Sequence, residues 1–159
     1  MKIKNLLKML GAIAICELAG GIGAIFTTPA INSWYAKLAR PALAPPNWIF
    51  APVWTTLFVL MGISAFLIWQ KGLERREVKT ALTIFAIQLA LNVLWSVLFF
   101  GLHSPGFAFI EIIILWLAIL TSIITFVKIS KVAAWLLAPY ILWVSFAGYL
   151  NFMIWALNY

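Results

Sequence analysis

The pattern of hydrophobic and polar positions along the 159-residue chain consists of five long apolar stretches separated by short polar segments. These stretches cover about residues 6–26, 52–69, 80–102, 106–127 and 132–158. Each approaches the roughly 20 residues that an α-helix needs to cross a bilayer, and none alternates like a barrel strand. The pattern predicts an all-α integral membrane protein, a five-transmembrane-helix bundle forming one domain over residues 1–159.

Two segments at the start of the chain need separate interpretation. The apolar stretch 6–26 is longer than that of a secretory signal peptide and ends without a small-residue cleavage pattern, so we interpret it as the first span. About residues 28–50 form the one long loop, because its prolines prevent a continuous helix.

The amino-acid composition supports a membrane environment and limits the kinds of catalytic or metal site that the chain could form. Hydrophobic residues make up 65% of the chain and charged residues 9%, with a mean hydropathy of +1.08, which excludes a soluble fold. The chain has one cysteine, one histidine, four glutamates and no aspartate. We therefore expect no disulfide, no metal site and no paired-carboxylate hydrolase site. The net charge of +7 could indicate nucleic acid, but the cations lie in short loops, which favours a role in membrane orientation and no nucleic-acid partner.

The distribution of cations between the two sides predicts the orientation. The long loop carries only Lys37 and Arg40. The other side carries nine cations: Lys2, Lys4, Lys8, Lys71, Arg75, Arg76, Lys79, Lys128 and Lys131. By the positive-inside rule we expect a cytoplasmic amino terminus, an external long loop and an external carboxyl terminus, with a prokaryotic cytoplasmic membrane as the location.

Polar and aromatic residues recur at similar depths inside three predicted spans. Helical spacing places one stripe on the third span and another on the fifth, with Trp54 just inside the second. The stripes are Gln88, Asn92, Trp95 and Phe99, and Tyr140, Trp143, Ala147, Leu150, Asn151 and Ile154. The amides could merely hold helices together, at roughly 0.6 to 2 kcal/mol each. The combined set favours a pocket for a flat, apolar molecule beneath the long loop.

Other polar residues in the spans have weaker interpretations. Glu17 is expected to form an interhelical hydrogen bond to Gln88 or Asn92, with either a structural or a functional role. Cys16 is interpreted as a small core residue, and His103 as a solvated loop histidine. Among the nine tryptophans, three lie at span ends and are interpreted as membrane anchors: Trp69, Trp135 and Trp155.

Three sequence blocks carry a specific pattern of tryptophan, proline and amide residues. The first is Trp34-Tyr35-x-x-Leu38-x-x-Pro41-x-x-x-Pro45-Pro46-x-Trp48-x-Phe50-x-Pro52-Val53-Trp54. The others are Gln88-Leu89-Ala90-Leu91-Asn92-x-x-Trp95-Ser96-x-x-Phe99-Phe100-Gly101 and Pro139-Tyr140-x-x-Trp143-x-x-Phe146-Ala147-x-x-Leu150-Asn151. In this order the blocks resemble the TspO/MBR family, the tryptophan-rich sensory or translocator proteins, also called peripheral-type benzodiazepine receptors.

The resemblance implies a five-helix bundle, often a homodimer, that binds tetrapyrroles such as protoporphyrin IX and haem, sterols, or benzodiazepine drugs, with no required cofactor. It also implies that the long loop covers the pocket. Carried over by position, the ligand-binding residues are Gly23, Ala24, Leu43, Ile49, Trp54, Asn92, Trp95, Phe107, Trp143, Ala147 and Leu150, to which the helical stripes add Phe99 and Asn151. Phe152 and Ala156 replace the sterol-recognition pattern of animal relatives, so cholesterol import is not expected.

Three functions follow from this resemblance. The first is a membrane receptor that binds tetrapyrroles for sequestration or stress sensing. The second is a light- and oxygen-dependent porphyrin-degrading enzyme in which Trp54 and Trp143 are the catalytic residues. The third is a small tetrapyrrole or lipid transporter, which the lack of an internal inverted repeat disfavours. A homodimer could use the small-residue pair Ala86 and Ala90.

Overall fold

The computed structural model of the chain describes residues 3–159, so Lys2 of the charge comparison lies outside the described residues. Within that range all regular structure is helical: α1 (Ile3–Ile31), α2 (Phe50–Trp69), α3 (Arg76–Ser96), α4 (Pro105–Val127), α5 (Lys131–Leu136) and α6 (Ala138–Asn158). Five segments are long and apolar enough to cross a membrane, α5 and α6 together forming the fifth. The predicted class, a five-helix membrane bundle, is confirmed.

Helix α1 extends further than the sequence indicated. It continues through Thr27 and Pro29 to Ile31, where an end before Thr27 was expected. A proline this close to a helix end removes one backbone hydrogen bond, and its fixed φ is compatible with the last turn. The Thr27 hydroxyl donates to the Gly23 carbonyl oxygen at 3.0 Å, which satisfies that acceptor a second time within the helix. The long loop therefore covers residues 32–49, including short 3₁₀ turns at Tyr35–Lys37 and Asn47–Ile49.

The end of the third span is a π-helical turn over Val97–Gly101. Its backbone bonds reach five residues back, as in the 2.8 Å bond from Leu102 N to the Val97 carbonyl oxygen. A π turn contains more residues than an α turn, so every side chain after Ser96 is shifted around the helix axis. Both Phe99 and Phe100 therefore contact the Trp95 ring, at centroid distances of 5.0 and 5.8 Å.

The fifth span is interrupted at Leu137, between α5 and α6. Pro139 lies in the first turn of α6, where its missing N–H breaks no intrahelical bond. Ser130 caps α5 by accepting from the Ala133 N–H at 3.3 Å, and the Ser64 hydroxyl donates to the Ala133 carbonyl oxygen at 2.7 Å. These bonds hold the start of the fifth span against α2.

Helices α1 and α2 approach most closely where Gly62 faces Ile13. A Cβ atom added at Gly62 would lie 2.5 Å from the Ile13 Cα atom, so only glycine permits this contact. On both sides of this crossing the two helices leave a cavity between them. One cavity lies beneath the long loop, and the other lies at the end of the bundle where the chain begins.

Candidate ligand-binding site

A cavity of about 200 Å³ lies beneath the long loop, between the carboxyl-terminal half of α1, the start of α2 and the end of α3. Its walls are mainly apolar and aromatic, with a few amide and hydroxyl groups. The lining residues are Gly20, Gly23, Ala24, Thr27, Thr28, Ile31, Asn47, Phe50, Ala51, Trp54, Phe58, Asn92, Trp95, Ser96 and Phe100.

Small residues on α1 make room for this cavity. A Cβ atom added at Gly20 would lie 2.5 Å from the Phe58 ring, and one added at Gly23 would lie 3.0 Å from the Ser96 hydroxyl oxygen. Larger residues here would push neighbouring side chains into the space. The predicted wall residues Gly23 and Ala24 do line the cavity, and Gly20 extends that wall by one turn.

Aromatic rings from α2 and α3 form the opposite walls. Trp54 stacks on Phe58 with ring centroids 5.6 Å apart. Trp95 meets Phe100 edge to face at 5.8 Å. The spacing of Ala51, Trp54 and Phe58 along α2 places them on one face of the helix, which the sequence pattern could have revealed. Such rings offer flat apolar surfaces on which a conjugated ligand can stack.

Asn92 is the buried amide of the cavity, and the core holds its orientation. Its Nδ2 atom donates to the Tyr140 hydroxyl at 2.9 Å, and that hydroxyl donates to Gln88 Oε1 at 2.9 Å. The carbonyl oxygen of the Asn92 side chain therefore remains able to accept a hydrogen bond. The expected bond from Glu17 to either amide is not present among the described residues: both amides bond to Tyr140, and Gln88 Nε2 donates to Met61 Sδ at 4.0 Å. Glu17 Oε1 is buried without a partner among residues 3–159.

Trp95 contributes its ring but not its N–H group. The indole Nε1 donates to Asn151 Oδ1 at 2.9 Å, and Asn151 Nδ2 donates to the Pro105 carbonyl oxygen at 2.7 Å. Asn151 is thus a structural link between α3, α4 and α6. It does not line the cavity, contrary to the expectation from the helical stripe.

The fifth span as a whole is displaced from the cavity. Ala147 and Leu150 are buried in helix packing, and neither is among the lining residues. The Trp143 ring lies edge to face against Phe50 at 5.9 Å, and Phe50, not Trp143, lines the cavity. The two tryptophans expected to act together, Trp54 and Trp143, therefore do not share one wall.

The π turn explains why one predicted lining residue is replaced by its neighbour. Helical spacing placed Phe99 on the pocket stripe, but the structure places Phe100 in the lining. Phe99 is buried beneath the long loop, with its ring centroid 5.6 Å from that of Trp34 and 6.2 Å from that of Tyr35. Phe99 therefore supports the loop from below.

Three further predicted contacts also lie elsewhere. Leu43 is 67% exposed on the long loop, and Ile49 is partly buried, while its neighbours Asn47 and Phe50 line the cavity. Phe107 is 69% exposed and borders a separate cavity near the start of α4. Loop residues have no periodicity from which their direction can be read, which is why Asn47 was missed.

Two surface contacts attach the long loop to the end of the bundle, in addition to its packing on Phe99. The Asn158 side chain accepts from the Ala39 N–H and donates to the Ala39 carbonyl oxygen, both at 2.9 Å. Trp34 stacks on His103 at 4.5 Å, so this exposed histidine is not simply solvated. These contacts close the loop over the end of the bundle.

Arg40 is the cation nearest to the cavity rim along the loop. Its Nη1 atom donates to Asn47 Oδ1 at 3.1 Å, and its guanidinium lies 5.5 Å from the Tyr35 ring centroid. Burial raises the pKa of the Tyr35 hydroxyl, and the neighbouring Arg40 partly opposes that shift. No charged side chain is among the cavity's lining residues, so Arg40 provides the nearest positive charge at the rim.

The fold and the site define a class: a multi-pass α-helical membrane protein with an aromatic cavity beneath its longest loop. The TspO/MBR family model matches residues 12–156, and the chain belongs to this family. It is 41% identical to Tryptophan-rich protein TspO of Chlorobaculum tepidum over 155 residues, covering 98% of each chain. It is 40% identical to Tryptophan-rich protein TspO of Archaeoglobus fulgidus over 154 residues, covering 97% of this chain and 99% of the relative. It is also similar to Translocator protein of Bos taurus, at 37% identity over 149 residues, covering 93% of this chain and 88% of the relative. The family indicated by the sequence blocks is thereby confirmed.

Proposed function

We propose that the protein is a membrane receptor for tetrapyrroles and similar flat apolar molecules, which bind in the cavity between α1, α2 and α3. The observation that carries this proposal is the lining itself. Trp54, Trp95 and Phe100 supply ring faces, and the Asn92 amide supplies a placed polar group within apolar walls. This combination suits a planar conjugated ligand better than a charged or strongly polar one.

The size of the cavity requires the long loop to move when such a ligand binds. A volume of about 200 Å³ is below the range of about 300–1,000 Å³ that is typical of pockets for drug-sized ligands. The loop is attached through the Asn158–Ala39 bonds and the Trp34–His103 stack at the surface. The buried Tyr35 ring also packs against the end of the third span. Opening the cavity would require these contacts to separate.

The position of Arg40 suggests how a porphyrin would be oriented. A porphyrin carries carboxylates on one edge of an otherwise apolar ring, and burying unpaired carboxylates is costly. Arg40 is bonded to Asn47 at the rim. We therefore propose that the apolar edge enters toward Asn92, while the carboxylates remain at the rim near Arg40.

Binding is favoured over degradation of the porphyrin by the position of Trp143. The degradation hypothesis uses both Trp54 and Trp143, but Trp143 packs against Phe50 and does not line the cavity. Of these two tryptophans, only Trp54 would touch a ligand in this geometry. Sequestration or sensing of the tetrapyrrole needs no second indole at the ligand.

The test is titration of the purified protein with protoporphyrin IX, followed by quenching of tryptophan fluorescence. Trp54→Phe should weaken binding by about fivefold, since replacing a stacking indole with a smaller ring costs on the order of 1 kcal/mol. Trp135→Phe is the matched control, because Trp135 is 75% exposed on the lipid-facing surface and should bind like the wild type.

Illumination of the complex separates the two chemical hypotheses. Under the receptor hypothesis, bound porphyrin loses its Soret absorbance no faster than free porphyrin. Faster bleaching that disappears in Trp143→Phe would instead establish the degrading enzyme. Equal affinities of wild type and Trp54→Phe would show that the ligand binds outside this cavity.

A further inference from the structure

The end of the bundle opposite the long loop contains a second cavity with a different character. It is a cleft of about 490 Å³ between the first turns of α1 and the end of α2, where the two helices separate beyond the Gly62–Ile13 crossing. The cleft is lined by Asn5, Lys8, Trp69, Gln70, Lys71, Gly72, Leu73 and Glu74. Most of these side chains are polar or charged, in contrast to the aromatic cavity.

Two lysine ammonium groups border the cleft without a carboxylate partner in the described part of the chain. The one ion pair within residues 3–159 joins Arg75 to Glu77, so Lys8 and Lys71 are not neutralised there. Lys8 Nζ lies 5.3 Å from the Trp69 ring centroid, which holds this ammonium over the floor of the cleft. These groups provide positive charge and hydrogen-bond donors for an anion.

One carboxylate also borders the cleft and limits where an anion can bind. A Cβ atom on Gly72 would overlap Glu74 Oε1, so this carboxylate lies directly against the Gly72 backbone. Gly72 has a φ of +101°, which turns the chain at the end of α2. An anion is therefore favoured on the opposite side of the cleft, near Lys8 and the Asn5 amide.

The cleft lies at the level expected for lipid headgroups. Trp69 is the last residue of the apolar helix α2, where indole rings prefer the interfacial zone. On α1 the neighbouring side chains Leu7 and Leu10 are 64% and 51% exposed, which provides an apolar surface next to the charged cleft. A molecule with an anionic head and apolar chains matches this arrangement better than a free anion, which would use the cleft alone.

We propose that this cleft is a binding site for the phosphate headgroup of an anionic phospholipid, with the acyl chains lying along the exposed apolar face of α1. The phosphate accepts hydrogen bonds from the Lys8 ammonium group and the Asn5 amide, and Lys71 adds positive charge from across the cleft. Eight cationic side chains at this end of the described chain, against Glu74 and Glu77, further favour an anionic lipid over a zwitterionic one. This site is independent of the aromatic cavity and of the function proposed for it.

The experiment is native mass spectrometry of the full-length protein released from mixed vesicles of phosphatidylglycerol and phosphatidylcholine. The wild type should retain one phosphatidylglycerol in preference to phosphatidylcholine. Lys8→Gln with Lys71→Gln should lower this preference by about thirtyfold, since each lysine near an anionic headgroup contributes about fivefold. Lys128→Gln with Lys131→Gln is the matched control, because it removes the same charge at the same end of the bundle but outside the cleft.

Several outcomes would overturn the proposal. One is equal retention of the two lipids by the wild type, and another is an unchanged preference in the cleft variant. A third is an equal loss of preference in the control variant, because that result would reflect only the overall positive charge at this end of the bundle. Displacement of the lipid by excess inorganic phosphate would indicate that a soluble phosphate is the ligand. If the cleft binds a lipid headgroup, Lys8→Arg with Lys71→Arg should keep the preference for phosphatidylglycerol, because these substitutions retain the positive charge and the hydrogen-bond donors.

Discussion

The two cavities between α1 and α2 differ in almost every property except the helices that form them. The cavity beneath the long loop is lined by glycine, aromatic rings and a buried amide, and none of its lining residues is charged. The cleft at the other end is lined by two lysines, a glutamate and amides around one tryptophan. One helix pair thus forms two sites of different chemistry on either side of a single close contact, at Gly62 and Ile13.

The difference shows how position along a spanning helix determines the chemistry of a site. The aromatic cavity extends down to Asn92, whose amide is already held by Tyr140, so an apolar ligand meets a prepared surface. The cleft lies beside the end of α2, where lysine side chains can remain hydrated. A charged side chain would be costly in the aromatic cavity beneath the long loop, but it costs little in the cleft at the end of α2.

The largest expected effect is at the crossing that separates the two cavities. Gly62→Ala places a methyl group 2.5 Å from the Ile13 Cα atom, which forces the helices apart. Overpacking of this kind should lower the free energy of unfolding by about 2–3 kcal/mol and weaken both sites. Thermal unfolding in detergent measures the change. Gly11→Ala is the control, because a Cβ atom there meets nothing within 4 Å; equal stability of the two variants would contradict the assigned crossing.

A smaller and more local effect is expected from two adjacent glycines of α1. Gly20→Ala pushes the Phe58 ring, 2.5 Å from the added Cβ atom, into the aromatic cavity, whereas a Cβ atom at Gly21 meets nothing within 4 Å. Gly20→Ala should weaken protoporphyrin IX binding by about tenfold, and Gly21→Ala should not. Phosphatidylglycerol retention should remain at the wild-type level in both. Equal porphyrin affinities of the two variants would show that Gly20 does not lie at the binding site.

The smallest expected effect concerns the attachment of the long loop. Asn158→Ala removes both bonds to Ala39, which lie at the surface and contribute little to stability. Stopped-flow fluorescence should show porphyrin association accelerated by about threefold, since roughly 0.7 kcal/mol of loop attachment is lost. Tyr159→Phe, next in the chain and 71% exposed, should leave the rate unchanged. A rate independent of Asn158 would mean that the ligand enters by another route.

The sequence predicted the membrane class and the family, because both depend on features that neighbouring structure does not alter. Five apolar stretches require five spans whatever their packing. Part of the cavity also followed from the helical stripes and the family resemblance: Gly23, Ala24, Trp54, Asn92 and Trp95 lie in its lining. Their role in binding a ligand stays a prediction.

Two residues expected in the lining lie outside it, for physical reasons that can be identified. Phe99 was placed by a regular helical period, and the π turn over Val97–Gly101 gives its position to Phe100. Asn151 was interpreted as a pocket amide, but it pairs with Trp95 instead. Neither outcome follows from spacing, because a π turn and the choice of a hydrogen-bond partner depend on neighbouring helices.

The sequence alone determined how many helices cross the membrane and which residue types are present at each depth, because burial in lipid imposes this on every span separately. Tertiary structure decided which of those residues meet. The contact of Gly62 with Ile13 sets where α1 and α2 separate, and thereby creates an aromatic cavity on one side and a charged cleft on the other. A side chain's partner depends on the relative placement of two helices, and no single helix carries that information.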